Sequence, residues 1–104
     1  MVSKTKEKFI KSLQLKKNRK QAQSFLVEGG KSVLELLSAD FEIQTILATA
    51  DFVANHPILE NYANLLTITN ENTLIKLGTF KSNNAALAVV SMKTNDLPSL
   101  APEE

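Results

Sequence analysis

A run of cations near the start of the chain is the first stretch whose residue types could bind a ligand. Residues 1–20 contain eight basic side chains and one acidic side chain, whereas the rest of the chain contains four basic and ten acidic ones. Such an asymmetry is typical of a surface that contacts a polyanion such as nucleic acid. A solvated basic surface that only improves solubility is the alternative. The candidate phosphate contacts are Lys16, Lys17, Arg19 and Lys20.

The second candidate site is the stretch Glu28-Gly29-Gly30-Lys31. Free amides at the start of a helix, with glycines that allow close approach and a lysine in the first turn, can hold an anion such as a phosphate. A tight strand-to-helix turn that needs glycine for its dihedral angles is the alternative. Glu28 could accept hydrogen bonds from a base edge or a ribose, or it could cap amides of its own turn. The spacing fits neither a P-loop nor a dinucleotide fingerprint.

Catalytic and metal-binding sets cannot be assembled from the remaining residues. His56 is the single histidine, and its neighbours Asn55 and Pro57 indicate a surface or helix-terminal position. The absence of cysteine excludes disulfides and thiolate metal sites. Phe80 lies in a polar stretch, where its ring could stack on a base or fold back to cover the edge of a sheet. We therefore expect no catalytic residue, no metal and no cofactor in this chain.

The elements that must position these residues follow from apolar periodicity and turn signals. Ser3 is a suitable cap for a first helix that reaches about Leu13, with Lys4, Lys8 and Lys11 on its polar side. A polar, basic loop is expected at 14–23. Further helices are expected at 31–39, at 50–64 with a break at Pro57, and in a short segment capped by Asn70 or Asn72 and ended by Gly78. Strands are expected at 24–28, 43–49, 65–69 and 86–92.

The alternation of strands and helices in 104 residues predicts one α/β domain, with helices on both faces of a small, mainly parallel sheet. We expect the domain to occupy 1–92. Residues 93–104 lose periodicity, contain Pro98 and Pro102, and are expected to be a linker or tail toward a further domain. The longest apolar run has six residues, so no membrane span and no secretory signal is expected, and a cytoplasmic protein is indicated.

Three stretches, taken together and in order, resemble a known family. They are the basic segment 11–20 followed by 25–33 (FLVEGGKSV), the pair 41–43 and 46–49, and the segment 82–90 (SNNAALAVV). The combination is similar to the N-terminal substrate-binding domain of the SpoU/TrmH family of RNA ribose 2′-O-methyltransferases, over about residues 3–92. The chain departs from the family at Asn83, Asn84 and Ala85, where the family usually has Pro-Gln-Gly.

The resemblance implies a three-layer α/β/α sandwich like that of ribosomal proteins that bind kinked RNA. It implies a module that recognises structured RNA, most often ribosomal RNA, for a separate catalytic domain. That domain would bind S-adenosylmethionine and form a homodimer. Carried over by position, the basic segment would contact phosphates, and Glu28 to Lys31 would line the RNA-facing turn. A protein-interaction or scaffold domain that docks a basic partner on the acidic remainder is the rival hypothesis.

Overall fold

The computed structural model describes residues 2–79, Asn83 and residues 85–92. The predicted stacking residue Phe80 and the predicted linker 93–104 lie outside this part of the chain. Ten elements follow one another along the described residues. They are α1 (Lys4–Ser12), α2 (Lys16–Ala22), β1 (Ser24–Glu28), α3 (Gly30–Leu37), β2 (Glu42–Thr49), α4 (Ala50–Asn55), a 3₁₀ helix (Pro57–Tyr62), β3 (Leu66–Thr69), α5 (Glu71–Leu77) and β4 (Ala86–Ser91).

Side-chain oxygens define where three of the helices begin. The Ser3 hydroxyl accepts a hydrogen bond from the Lys6 amide at 3.1 Å, which confirms the predicted cap of α1. Asn70, rather than Asn72, caps α5, because its Oδ1 accepts a hydrogen bond from the Thr73 amide at 2.9 Å. The predicted break at Pro57 is also confirmed, since α4 ends at Asn55 and the 3₁₀ helix begins at Pro57.

The sheet has the strand order β1-β4-β2-β3. β2 and β3 are parallel, but β4 lies between β1 and β2 and is antiparallel to both. The prediction of a mainly parallel sheet was therefore wrong. The sequence pattern of β4 does not indicate its direction, because side chains alternate between the two faces in parallel and antiparallel strands alike. β4 starts where β1 and β2 end: Ala86 accepts from the Gly29 amide at 2.9 Å, and Ala85 accepts from the Thr49 amide at 3.0 Å.

Helices cover both faces of this sheet, so the predicted α/β/α sandwich is confirmed. Successive residues of β4 point to opposite faces, and each face has its own core. The α3-side core contains Val33, Leu36, Ile46, Ala48, Leu59, Ala86, Ala88 and Val90. The α1-side core contains Ile10, Leu13, Leu47, Leu74, Leu77, Leu87 and Val89. Among the described residues, no helix has the length and apolar character needed to cross a membrane.

Candidate functional site

The basic run at 16–20 is part of a helix, not the loop predicted for 14–23. α2 extends from Lys16 to Ala22 and buries none of its residues, so the apolar periodicity that reveals other helices is missing here. Lysine, arginine, glutamine and alanine nevertheless favour helix. Lys16, Lys17 and Lys20 are exposed on this helix and present their ammonium groups to solvent.

Arg19 differs from the three lysines because its guanidinium makes hydrogen bonds within the protein. Its Nη1 donates hydrogen bonds to the carbonyl oxygens of Leu13 and Gln14, at 2.9 and 3.0 Å. Asn18 supports the same turn, since its Nδ2 donates to the Ser12 carbonyl at 3.0 Å. These carbonyls lie at the end of α1, where helical acceptors lack intrahelical partners. The predicted phosphate-binding set therefore divides into three outward lysines and one arginine that joins α1 to α2.

Glu28 joins the end of β1 to the segment that follows α5. Its carboxylate accepts hydrogen bonds from the Thr79 amide at 2.7 Å and from the Thr79 hydroxyl at 2.8 Å. In both of these hydrogen bonds the donor belongs to a residue 51 positions away in the chain, not to the turn that follows β1. Gly78 permits this approach, because a Cβ at that position would fall on the Glu28 carboxylate. Gln14 completes the junction by donating to the carbonyls of Leu77 and Gly78, at 2.8 and 3.0 Å.

The two glycines of the strand-to-helix turn have structural tasks of their own. Gly29 has φ +100°, a conformation that side-chain-bearing residues rarely adopt. A Cβ on Gly30 would meet Phe52 Cε1 at 2.6 Å and the Ala85 Cβ at 3.0 Å. The turn therefore needs both glycines for its own geometry. Among the described residues, no side-chain hydrogen bond caps the start of α3, and Lys31 is exposed in its first turn, so the first-turn amides and a cation lie together.

A small cleft of about 150 Å³ lies where α1, α2 and β1 meet. It is lined by Leu13, Gln14, Arg19, Leu26, Glu28 and Thr79. The fold thus brings Arg19 and Glu28, predicted from separate motifs, to the same cleft. The remaining predicted residues, which are the α2 lysines, the two glycines and Lys31, do not line it.

The turn that departs from the family pattern is organised by Asn83. This side chain is buried, with 5% of its surface exposed. Its Nδ2 donates to the Ala86 carbonyl at 2.8 Å, and its Oδ1 accepts from the amides of Ala85 and Ala86 at 3.2 and 3.3 Å. Asn83 therefore holds the start of β4 beside Gly29, whose amide donates to the same Ala86 carbonyl.

His56 lies at the end of α4, as the sequence indicated. Its ring packs on Phe52, with centroids 4.5 Å apart and ring planes tilted by 46°. Within residues 2–79, 83 and 85–92, no group of histidine and carboxylate side chains is placed to hold a metal ion.

A second basic surface involves residues that lie far apart in the sequence. Lys4, Lys8 and Lys11 of α1, which the sequence placed on one helical face, line a groove together with Lys76 of α5. Sequence patterns could not associate Lys76 with this face, because nothing local in the chain indicates that α5 packs beside α1.

Comparisons with known proteins agree with the architecture. The family model of the MRM3-like substrate binding domain matches residues 4–92. No curated protein matches the chain closely enough to identify a relative by sequence.

Several solved structures with the same fold are described as RNA methyltransferases. A TrmH-family protein from Porphyromonas gingivalis is 25% identical with TM-score 0.69, over 99% of this chain and 38% of the other. The SpoU methyltransferase AviRb from Streptomyces viridochromogenes, in complex with AdoMet, is 19% identical with TM-score 0.71, over 98% and 40%. An rRNA methyltransferase from Sinorhizobium meliloti is 21% identical with TM-score 0.69, over 89% and 36%. The chain thus spans 36–40% of the length of these proteins.

Proposed function

Because the chain belongs to the family of MRM3-like substrate binding domains, we propose that it recognises structured RNA, with ribosomal RNA as the substrate, for a 2′-O-ribose methyltransferase. The match over residues 4–92 is the observation that carries this proposal. It is supported by the similar solved structures, which are described as RNA and rRNA methyltransferases of the SpoU and TrmH type.

The proposal includes a larger, cytoplasmic parent protein in which residues 1–92 form the RNA module and 93–104 lead to a catalytic domain. That domain would bind S-adenosylmethionine and form the homodimer. The 36–40% coverage supports a further domain, because the solved proteins contain much more chain than this one matches. AviRb was solved in complex with AdoMet, which supports the cofactor assignment to the parent.

Within the module, we assign the phosphate contacts to the α2 lysines and to the start of α3. Lys16, Lys17 and Lys20 are exposed and make no ion pair within the described residues. Lys31 and the uncapped amides of α3 add a second place where a phosphate could be held. Ammonium groups that neutralise phosphates release counterions, so affinity should fall steeply as salt rises.

A salt titration of binding to a labelled ribosomal RNA stem-loop tests this assignment. We compare the unmodified chain with the triple variant Lys16→Ala/Lys17→Ala/Lys20→Ala, which leaves Arg19 in place because of its structural hydrogen bonds. Three lost phosphate contacts should reduce the slope of log K against log salt by about 2 to 3. Gln21→Ala, an uncharged truncation on the same helix, is the matched control and should keep the full slope.

The possible results separate the two levels of the proposal. A triple variant that binds with an unchanged slope contradicts the assignment of phosphate contacts to α2. An unmodified chain that does not bind structured RNA even at low salt contradicts RNA recognition by this module, and would favour the rival protein-interaction domain.

A further inference from the structure

A groove of about 480 Å³ between α1 and α5 carries a charge pattern that the contacts proposed above do not use. Its lining consists of Lys4, Thr5, Glu7, Lys8, Lys11, Lys76 and Leu77. Four of these seven residues are lysines and one is a glutamate, so the groove is strongly cationic.

The lysines of α1 form a row along the groove. Their spacing of four and three residues places them on one helical face, about 6 and 4.5 Å apart along the axis. Lys4, Lys8 and Lys11 are exposed and make no ion pair in the described part of the chain. The row is therefore free to neutralise charge on a ligand that extends along the helix.

The one ion pair found among the described residues joins the two walls of the groove, Glu7 on α1 and Lys76 on α5. Lys76 Nζ lies 3.1 Å from Glu7 Oε1, and their side chains are 54% and 25% exposed. Glu7 cancels one of the four positive charges and fixes the Lys76 ammonium beside the α1 row. An exposed ion pair of this kind contributes little free energy, so an anionic ligand can replace Glu7 as the partner of Lys76.

The packing of α1 against α5 makes the groove a preformed site. Ile10 and Leu13 of α1 pack with Leu74 and Leu77 of α5 in the α1-side core, and all four are fully buried. The Gln14 hydrogen bonds to the end of α5 hold the same two helices together. A ligand therefore meets walls whose separation is already set, which lowers the ordering cost of binding.

We propose that this groove binds a second segment of RNA phosphate backbone, separate from the contacts of α2 and α3. The inference rests on the proposed function and extends it. A row of ammonium groups along about 10 Å of helix fits successive phosphates of one strand better than a single small anion. The groove lining contains no aromatic side chain, so the contact positions the RNA without reading its bases.

A pair of lysines on the same helix gives a matched test. Lys8 lines the groove, whereas Lys6 is exposed on α1 but does not line it. We measure binding of the full 104-residue chain to a labelled ribosomal RNA stem-loop as a function of salt. Lys8→Ala should weaken binding about two- to fivefold and reduce the salt slope by about 0.7 to 0.9, as expected for one lost phosphate contact. Lys6→Ala should keep the slope of the unmodified chain.

The acidic side chain of the groove lining, Glu7, gives a second test, in which RNA affinity is expected to increase. Glu7→Gln removes the carboxylate from the groove and releases Lys76, so RNA binding should become about two- to fivefold tighter. Glu35→Gln, an exposed acid on α3, is the control for the change in net charge and should have a smaller effect.

The possible results distinguish failure of the groove proposal from failure of the proposed function. If RNA binds but Lys8→Ala behaves like Lys6→Ala, or Glu7→Gln behaves like Glu35→Gln, the groove proposal fails and the proposed function stands. If the unmodified chain does not bind RNA, both fail. Poly-glutamate that binds the unmodified chain but not Lys8→Ala, while Lys8→Ala leaves RNA affinity and its salt slope unchanged, shows that an acidic polypeptide occupies the groove and overturns the RNA assignment.

Discussion

Glu28, a candidate binding residue in the sequence, makes hydrogen bonds that stabilise the fold. Its carboxylate accepts from the amide and the hydroxyl of Thr79, which is 51 residues away in the chain. The sequence identified Glu28 because it precedes two glycines at the end of a strand. It could not identify Thr79, because tertiary packing of α5 on the sheet and on α1 brings the two residues together.

We expect Glu28→Ala to lower the free energy of unfolding by about 1 to 2 kcal/mol, because two hydrogen bonds to a charged acceptor are lost. Glu28→Gln keeps one acceptor oxygen and should lose less. Urea denaturation measures both changes. Glu35→Ala on α3 is the control and should stay within about 0.5 kcal/mol of the unmodified chain. Equal effects of Glu28→Ala and Glu35→Ala would show that the Thr79 contact contributes nothing to stability.

At the scale of elements, the sequence predicted the buried segments well and the exposed ones poorly. The four strands were located because each contains a run of apolar or β-branched residues. α2 was missed because none of its residues is buried, so no periodicity marks it. The direction of β4 was also missed, because alternation of side chains is the same in parallel and antiparallel strands.

For the candidate site too, residues marked by the local sequence were predicted, whereas residues brought together by tertiary packing were not. The α2 lysines and Lys31 were found because charge is visible in a linear sequence. The groove between α1 and α5 was not found as a unit, because it depends on Lys76 and on the contact between two helices.

Two substitutions in α2 test whether Arg19 stabilises the fold while the exposed Lys20 does not. Arg19→Ala should lower the free energy of unfolding by about 1 to 2 kcal/mol, since the Leu13 and Gln14 carbonyls lose a charged donor. Lys20→Ala, one residue further on the same helix, should change stability by less than about 0.5 kcal/mol. Thermal or urea unfolding of the two variants provides the comparison. Lys20→Ala as destabilising as Arg19→Ala would contradict the division of roles.

At the scale of the whole molecule, β4 connects the two halves of the structure. It pairs with β1 on one side and β2 on the other, and its residues contribute to the cores on both faces. β3, in contrast, is an edge strand that pairs with β2 alone. The stability of the sandwich should therefore depend far more on β4 than on β3.

Two truncations of apolar side chains test this difference. Leu87 of β4 is fully buried, whereas Ile68 of β3 is 45% exposed. Leu87→Ala should cost about 2 to 5 kcal/mol of unfolding free energy, because it removes buried surface and leaves a cavity. Ile68→Ala should cost less than about 1 kcal/mol. Urea denaturation checks the pair, and a Leu87 variant no less stable than the Ile68 variant would contradict a central role for β4.

The position of β4 also has a consequence during protein synthesis. β4 is the last strand among the described residues, and it lies between β1 and β2, which are not neighbours in the sheet. A ribosome-bound chain that ends before Ala86 would expose the open edges of β1 and β2, together with both half-built cores. We therefore expect the four-stranded sheet to be completed only after Ser91 has left the ribosomal exit tunnel. Unpaired strand edges and exposed apolar surface make such an intermediate prone to aggregation.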